Sequence, residues 1–105
     1  PKRTFHGRSM GERNEIIFAN GFWKDVGKLP QEVRTKLPEL FEILAENAFD
    51  PRLHTKPLGA PLNGKYSFRI TRDWRVAFIF TDDHKIKILM ASNRDKIYER
   101  LKRIS

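Results

Sequence analysis

Apolar and polar residues alternate along three consecutive stretches in the second half of the chain. The apolar residues recur at every second position, which is the period of a β-strand with one buried face. They are Tyr66, Phe68 and Ile70 in the first stretch, Trp74, Val76, Phe78 and Phe80 in the second, and Ile86, Ile88 and Met90 in the third. Turn residues at 71–73 and 82–84 separate the stretches, so the pattern predicts a three-stranded antiparallel meander.

The alternate positions of these strands carry basic side chains. The alternate positions are Lys65, Ser67 and Arg69, then Arg75, Ala77 and Ile79, then Lys85, Lys87 and Leu89, and five of these nine residues are Lys or Arg. If the strands pair, Arg69, Arg75 and Lys87 share one surface. This pattern predicts a sheet with one packed face and one charged face that binds a polyanion.

Upstream, the apolar spacing indicates a strand followed by helices. The run Glu15–Ala19 predicts a first strand, and Asn20 is the expected cap of a short helix over Phe22–Lys28. A longer helix is expected from Pro30 to Asp50 because its apolar residues recur at helical spacing. Those residues are Val33, Leu37, Leu40, Phe41, Leu44 and Ala48. Pro38 lies inside this helix, where it removes a hydrogen bond, so a kink is expected there.

The remaining segments predict a connector, a terminal helix and a basic arm. Residues 51–65 contain too many Pro and Gly residues for regular structure. Ser92 or Asn93 is the expected cap of a helix over Asp95–Ile104, and residues 1–13 form a basic N-terminal arm that adds no core. The fold class is therefore α+β, with element order β-α-α-β-β-β-α in one domain over residues 14–105.

Composition restricts the partners and the chemistry. The 105 residues include 21 Lys and Arg against 13 Asp and Glu, a net charge of +8, which favours nucleic acid, an anionic membrane surface or an acidic protein. Since there is no cysteine, disulfides, thiolate catalysis and Cys-ligated zinc are excluded. We expect no cofactor and no metal, because Asp82 and Asp83 lack a third carboxylate at ligand spacing. The chain has no apolar run of about 18 residues and no signal-peptide core, so a cytoplasmic protein is expected.

A set of spaced motifs resembles the RelE/ParE superfamily of toxin-antitoxin toxins over about residues 14 to 104. The motif residues are Pro61-Leu62, Gly64, Tyr66, Arg69, Trp74-Arg75-Val76, and Arg94 with Tyr98. The resemblance implies a small twisted antiparallel sheet with two helices on one face, and an antitoxin as partner. It also implies that a RelE-like chain cleaves messenger RNA in the ribosomal A site, whereas a ParE-like chain inhibits DNA gyrase.

RNA cleavage by the adjacent 2'-hydroxyl needs a proton acceptor, stabilisation of the phosphorane and a proton for the leaving oxygen. Arg69, Arg75 and Arg94 fit phosphate stabilisation, because guanidinium groups stay charged and match phosphate geometry. Tyr98 is the expected base, since nearby cations stabilise a phenolate. The residues expected to assist or to contact RNA are Lys56, Lys65, Lys85, Lys87 and His54.

Three functions stay open on the sequence. The RelE branch uses a lysine pair in the strand that here reads Tyr66–Ile70, where Ser67 takes one lysine position and Arg69 the other. The first interpretation is a ribosome-dependent mRNA endonuclease neutralised by an acidic, partly disordered antitoxin. The alternatives are a ParE-like gyrase inhibitor, and an RNA-binding relative without catalysis.

Overall fold

The computed structural model describes the backbone of residues 4–6 and all of residues 13–104. Its strands are β1 (Thr4–His6), β2 (Glu15–Phe18), β3 (Lys56–Pro57), β4 (Lys65–Arg69), β5 (Trp74–Asp82) and β6 (Lys85–Asn93). Its helices are α1 (Phe22–Lys28), α2 (Gln31–Arg34), α3 (Leu37–Glu46) and α4 (Ile97–Ile104), with a 3₁₀ turn at Pro51–Leu53. The strands of the described residues form one sheet in the order β1-β2-β6-β5-β4-β3. The α+β class and the three-stranded meander are confirmed.

The sheet is mixed, whereas the sequence predicted an antiparallel one. β2 runs parallel to β6, with Ile16 opposite Ile86. The other strand pairs are antiparallel. The partner of β2 is about 70 residues away along the chain, and α1 to α3 carry the chain across the sheet after β2. No local pattern in the sequence contains the orientation of such a pair.

The predicted single packed face is the main correction to the fold. One core lies between the sheet and α1 to α3 and includes Phe22, Leu44, Phe68 and Phe78, all fully buried. A second core lies on the opposite face, where α4 and the connector cover part of the sheet. Its members are Leu58, Leu62, Ala77, Met90, Ile97 and Leu101. The charged face is therefore confined to the part of the sheet that α4 leaves uncovered.

A bulge in β6 moves Met90 to this second core. Ala77 pairs with Met90 while the next residue, Phe78, pairs with Ile88, so Leu89 is an extra residue in the ladder. An extra residue reverses the side-chain alternation beyond it. The prediction that Met90 shares a face with Ile88 is thus wrong.

The helices differ from the prediction at their ends. α1 has its predicted bounds, but Gly21 is the N-cap and makes no side-chain capping bond, so Asn20 does not cap it. The predicted helix from Pro30 is divided into α2 and α3, and Pro38 lies in the first turn of α3, where a missing N–H costs nothing. α3 ends at Glu46, before the predicted end at Asp50.

The connector and the ends of the chain carry short elements that the sequence pattern missed. The 3₁₀ turn and the two-residue β3 lie in the connector, and β3 pairs with β4. The predicted terminal helix is present as α4, but it starts at Ile97 and not at Asp95, after a turn in which Asn93 Oδ1 accepts from the Asp95 N–H at 2.8 Å. In the predicted arm, β1 pairs with β2, and most of the arm lies outside the described residues. None of the described helices is long and apolar enough to cross a bilayer.

Candidate nucleic-acid interface and active site

A concave pocket of about 480 Å³ lies where β4 and β5 meet the start of α4. The residues that line it are Lys56, Ser67, Arg75, Arg94, Asp95, Ile97 and Tyr98. Three of the four predicted catalytic residues therefore line one cavity, although they come from β5, the β6–α4 junction and α4. Tertiary structure brings Lys56 to the same cavity.

Strand register places the fourth predicted catalytic residue beside this pocket. Arg69 is the direct cross-strand partner of Arg75, near the turn that joins β4 to β5. The Nε atoms of both side chains are buried, and neither has a hydrogen-bond acceptor within the described part of the chain. Buried polar groups normally have partners, so two adjacent orphaned guanidinium nitrogens indicate a site that an anion completes.

The electrostatics at Arg75 also indicate a site for an anion. Burial lowers the pKa of the Arg75 guanidinium, and the charges of Arg69 and then Arg94 lower it further, while Tyr98 acts in the opposite direction. Like charges held this close in a partly desolvated pocket repel one another. A bound phosphate would relieve that repulsion, and the pocket is therefore suited to an anion.

Two contacts with the β4–β5 turn hold Arg94 at the pocket. Its backbone N–H donates to the Asp73 carbonyl at 2.8 Å, and its Nε lies 3.7 Å from Asp73 Oδ1. Asp95 Oδ1 lies 4.0 Å from the same nitrogen. Asp95 lines the pocket and was not singled out in the sequence, since one carboxylate at a predicted helix start has no distinguishing pattern.

Tyr98 is in the first turn of α4 and is 43% exposed. Ile97 and Leu101 fix α4 by packing into the second core. Arg100 fixes it from another direction, because its guanidinium donates to Asp25 at 2.8 Å and to the Ala91 carbonyl at 3.2 Å. The phenol is thus presented on a firmly held helix with its ring accessible to a ligand.

The connector brings Lys56 to the pocket through β3, where Lys56 is paired with Ser67. Ser67 is only 2% exposed, so the residue opposite Lys56 on β4 is small and buried. Gly64 precedes β4 with φ of +85°, a conformation that glycine adopts at little cost. The predicted connector therefore supplies one cation of the site.

Four predicted RNA contacts lie outside the pocket. Lys65 and Lys87 flank Ile79 across the sheet, and Ile79 is four residues from Arg75, about 13 Å along β5. Lys85 pairs with Asp82, seven residues from Arg75 and about 23 Å away along the strand. His54 ends the 3₁₀ turn in the left-handed conformation, is exposed, and does not line the pocket. Lys65 and Lys87 extend the basic surface, whereas Lys85 lies at its far end.

Comparison with known proteins rests on structure. No protein-family model matches the sequence, and no curated protein matches it either. The toxin-antitoxin complex RelBE2 of Mycobacterium tuberculosis is 26% identical over 79% of this chain and 99% of that chain, with a TM-score of 0.64. The YoeB-YefM complex of Staphylococcus aureus is 26% identical over 76% and 95%, with a TM-score of 0.62. The chain has the RelE/ParE-superfamily fold.

A further solved structure supports this assignment at lower identity. Escherichia coli YafQ is 18% identical over 81% of this chain and 98% of that chain, with a TM-score of 0.67, which shows the RelE/ParE fold alone. The resemblance drawn from the sequence motifs is therefore confirmed at the level of the superfamily. Among the described residues, no group of three His, Cys, Asp or Glu residues is placed to hold a metal.

Proposed function

We propose that this protein is the toxin of a type II toxin-antitoxin system and a ribosome-dependent mRNA endonuclease that cuts in the A site. The observation that carries the proposal is the pair of buried guanidinium nitrogens of Arg69 and Arg75, which have no acceptor among residues 13–104, beside a pocket that also contains Arg94 and Tyr98. Cations around one cavity with an accessible phenol supply the groups that RNA cleavage requires.

The proposed reaction is a metal-independent transesterification. The 2'-oxygen bonds to the adjacent phosphorus while the bond from phosphorus to the 5'-oxygen breaks, which leaves a 2',3'-cyclic phosphate and a 5'-hydroxyl. Arg75 and Arg69 stabilise the nonbridging oxygens, because charge accumulates there in the transition state. Tyr98 acts as the general base for the 2'-hydroxyl proton, and Lys56 donates to the leaving oxygen.

The partner in this proposal is an acidic antitoxin. The RelBE2 and YoeB-YefM structures are toxin-antitoxin complexes, and both cover most of this chain. A net charge of +8 favours an acidic, partly disordered segment that covers the basic surface and orders on binding. The antitoxin would then compete with RNA for the same cations.

One observation favours a second candidate, a ParE-like gyrase inhibitor. Ser67 lies buried in the pocket wall at a position where the RelE resemblance calls for a lysine. Gyrase binding needs no proton transfer, so the absence of one lysine would matter less to it than to RNA cleavage. A catalytically inactive RNA-binding relative would tolerate the same change.

Primer extension on mRNA in a purified translation system separates these functions. The proposal expects new cuts at A-site codons when the protein is added, and none with Arg75→Ala. Arg34→Ala is the matched control, because Arg34 is exposed on α2 in the helix layer. A parallel DNA supercoiling assay with gyrase should show no effect. Gyrase inhibition without mRNA cuts would replace the proposal with the second candidate.

A further inference from the structure

A second concave pocket, of about 320 Å³, lies on the other side of the β6–α4 junction. Its lining includes Lys28 at the end of α1, Trp74 at the start of β5, and Asn93 with Lys96 at the junction. Its volume lies at the lower end of the range for small-ligand sites. None of these four residues has a role in the proposed cleavage.

The two pockets are back to back across the end of the sheet. Trp74 lines the second pocket and the next residue, Arg75, lines the first. Likewise, Asn93 lines the second pocket and Arg94 lines the first, and Asn93 pairs with Trp74 across the strands. Because consecutive residues of a strand point to opposite faces of a sheet, the two pockets open on opposite faces at this end of the sheet.

The second pocket combines a fixed wall with free cations. Arg100 belongs to the wall, since its guanidinium is committed to Asp25 and to the Ala91 carbonyl. Lys28 and Lys96 are exposed, and neither makes an ion pair with a carboxylate of residues 13–104. Their ammonium groups are therefore available to an anionic ligand.

Two further groups suit a nucleobase. Trp74 is half-buried against the first core, so its ring is held in place while part of it faces the pocket. Asn93 Oδ1 accepts from the Asp95 N–H, which leaves the amide nitrogen as the group that donates to a ligand. Aromatic rings stack with unpaired bases, and cations beside them follow the phosphates of a single strand.

We propose that this second pocket binds the nucleotide next to the scissile one in single-stranded RNA. Its base stacks on Trp74 and its phosphate lies between Lys28 and Lys96, while Arg69 and Arg75 hold the scissile phosphate on the other side of the sheet end. The assignment deepens the proposed endonuclease function and rests on it for the identity of the neighbouring nucleotide.

Tryptophan fluorescence tests the site directly. The Trp23→Phe variant leaves Trp74 as the single tryptophan, and a five-nucleotide 2'-O-methyl RNA binds without being cut. We expect saturable quenching of Trp74. Lys28→Glu with Lys96→Glu should weaken the apparent affinity by about tenfold or more, since two phosphate contacts are reversed. Lys24→Glu with Lys36→Glu, exposed residues outside the pocket, is the charge-matched control.

The outcomes separate the site from the proposed function. Quenching with no mRNA cuts in the translation assay would keep the site and remove the endonuclease function. The site would be overturned if the protein cuts mRNA while RNA does not quench Trp74. It would also be overturned if Lys24→Glu with Lys36→Glu weakened the RNA affinity as much as Lys28→Glu with Lys96→Glu. Arg75→Ala should retain the full quenching amplitude at saturation. Quenching by a poly-glutamate peptide but not by RNA would also overturn it, and would assign the pocket to an acidic protein segment.

Discussion

At the residue scale, the site depends on the crowding of Arg75. Its neighbours Arg69 and Arg94 are cations, its Nε is buried, and its pKa is lowered by burial and by those charges. This arrangement costs stability in the free protein, because like charges are held together without a full solvent shell. Such a cost is typical of a site that binds an anion.

Tyr98→Phe tests the proton-transfer role. The substitution removes the hydroxyl and keeps the ring, so thermal stability should change little while mRNA cleavage falls by about 10² to 10⁴. Single-turnover cleavage on programmed ribosomes measures the rate, and cosedimentation measures ribosome binding, which should be retained. If the Phe variant cuts at the wild-type rate, the base is another group, and Asp95 and Lys56 are the remaining candidates in the pocket.

Arg75→Lys tests the geometry of phosphate stabilisation. A lysine keeps the charge but lacks the two-pronged donor, so the lysine variant should recover only part of the cleavage that Arg75→Ala abolishes. The reduction in the alanine variant should be on the order of 10² or more, as for the removal of one oxyanion donor. Full activity of Arg75→Lys would show that only charge matters at this position.

At the element scale, the Asp25–Arg100 pair joins α1 to α4 beyond the end of β2. β2 stops opposite Ile88, and past that point Asp25 accepts the Ala91 N–H at 3.2 Å while Arg100 donates to the Ala91 carbonyl. Side chains therefore replace the missing strand. The pair secures the helix that presents Tyr98.

Asp25→Ala should remove this link. It leaves the Ala91 N–H and one of the two donating nitrogens of Arg100 without an acceptor, at a cost of about 1–3 kcal/mol in the free energy of unfolding. Urea denaturation measures the destabilisation, and amide hydrogen exchange at Ala91 should accelerate. Lys102→Ala breaks only an exposed pair with Glu99 and should change stability by less than about 0.5 kcal/mol. Equal effects of the two substitutions would contradict this role of Asp25.

The turn that leads to β3 depends on Asp50. Asp50 Oδ1 accepts from the backbone N–H of Arg52 at 2.9 Å, and its carboxylate also pairs with the Arg52 guanidinium. The side-chain hydrogen bond, then the backbone one, lowers the pKa of Asp50 from 3.8 to about 2. These bonds order the segment that leads to Lys56.

This pKa sets the direction of an acid effect. Because the folded-state pKa is depressed, the ionised carboxylate contributes stability above pH 3.8 that is lost as the pH falls toward 2. The Asp50→Asn variant should lack that part of the acid dependence. Carboxyl NMR titration of the wild type should give a pKa near 2, and a normal value would show that the Arg52 contacts do not persist in solution.

At the scale of the whole molecule, the net charge of +8 and the basic surface of the sheet make association with RNA dependent on salt. Lys65 and Lys87 extend the cations from the pocket across the uncovered sheet. A ribosome-binding series from about 50 to 200 mM salt should show affinity falling linearly on logarithmic axes. Salt-insensitive binding would contradict a polyanion target.

Lys87→Ala provides the residue-level check on this surface. The slope of log affinity against log salt concentration should decrease in magnitude by about 0.7 to 0.9, because the variant neutralises one phosphate fewer than the wild type. Lys36→Ala, exposed before α3 on the helix side of the sheet, should leave the slope unchanged. A charge-reversing substitution at Arg69 is less suited to this measurement, because the Arg69 Nε is buried and a carboxylate there would disturb the fold.

Local patterns in the sequence were enough to predict the meander, the terminal helix, the superfamily and most residues of the main pocket. Periods of two and about four residues and the turn residues between them are local properties, and they sufficed for β4, β5, β6 and α4. The co-occurrence of Gly64, Arg69, Arg75 and Arg94 with Tyr98 indicated the RelE/ParE fold, because these residues at this spacing resemble the motifs of that superfamily.

The parallel pairing of β2, the second core and the contents of the two pockets depended on tertiary contacts. A bulge of one residue reverses a face, and Met90 moved with it, although nothing in the alternation marks the position. Lys56 reached the site through a two-residue strand, and Trp74 and Arg75 separated into different pockets, because contacts between distant segments fix those positions. Local sequence does not encode such contacts.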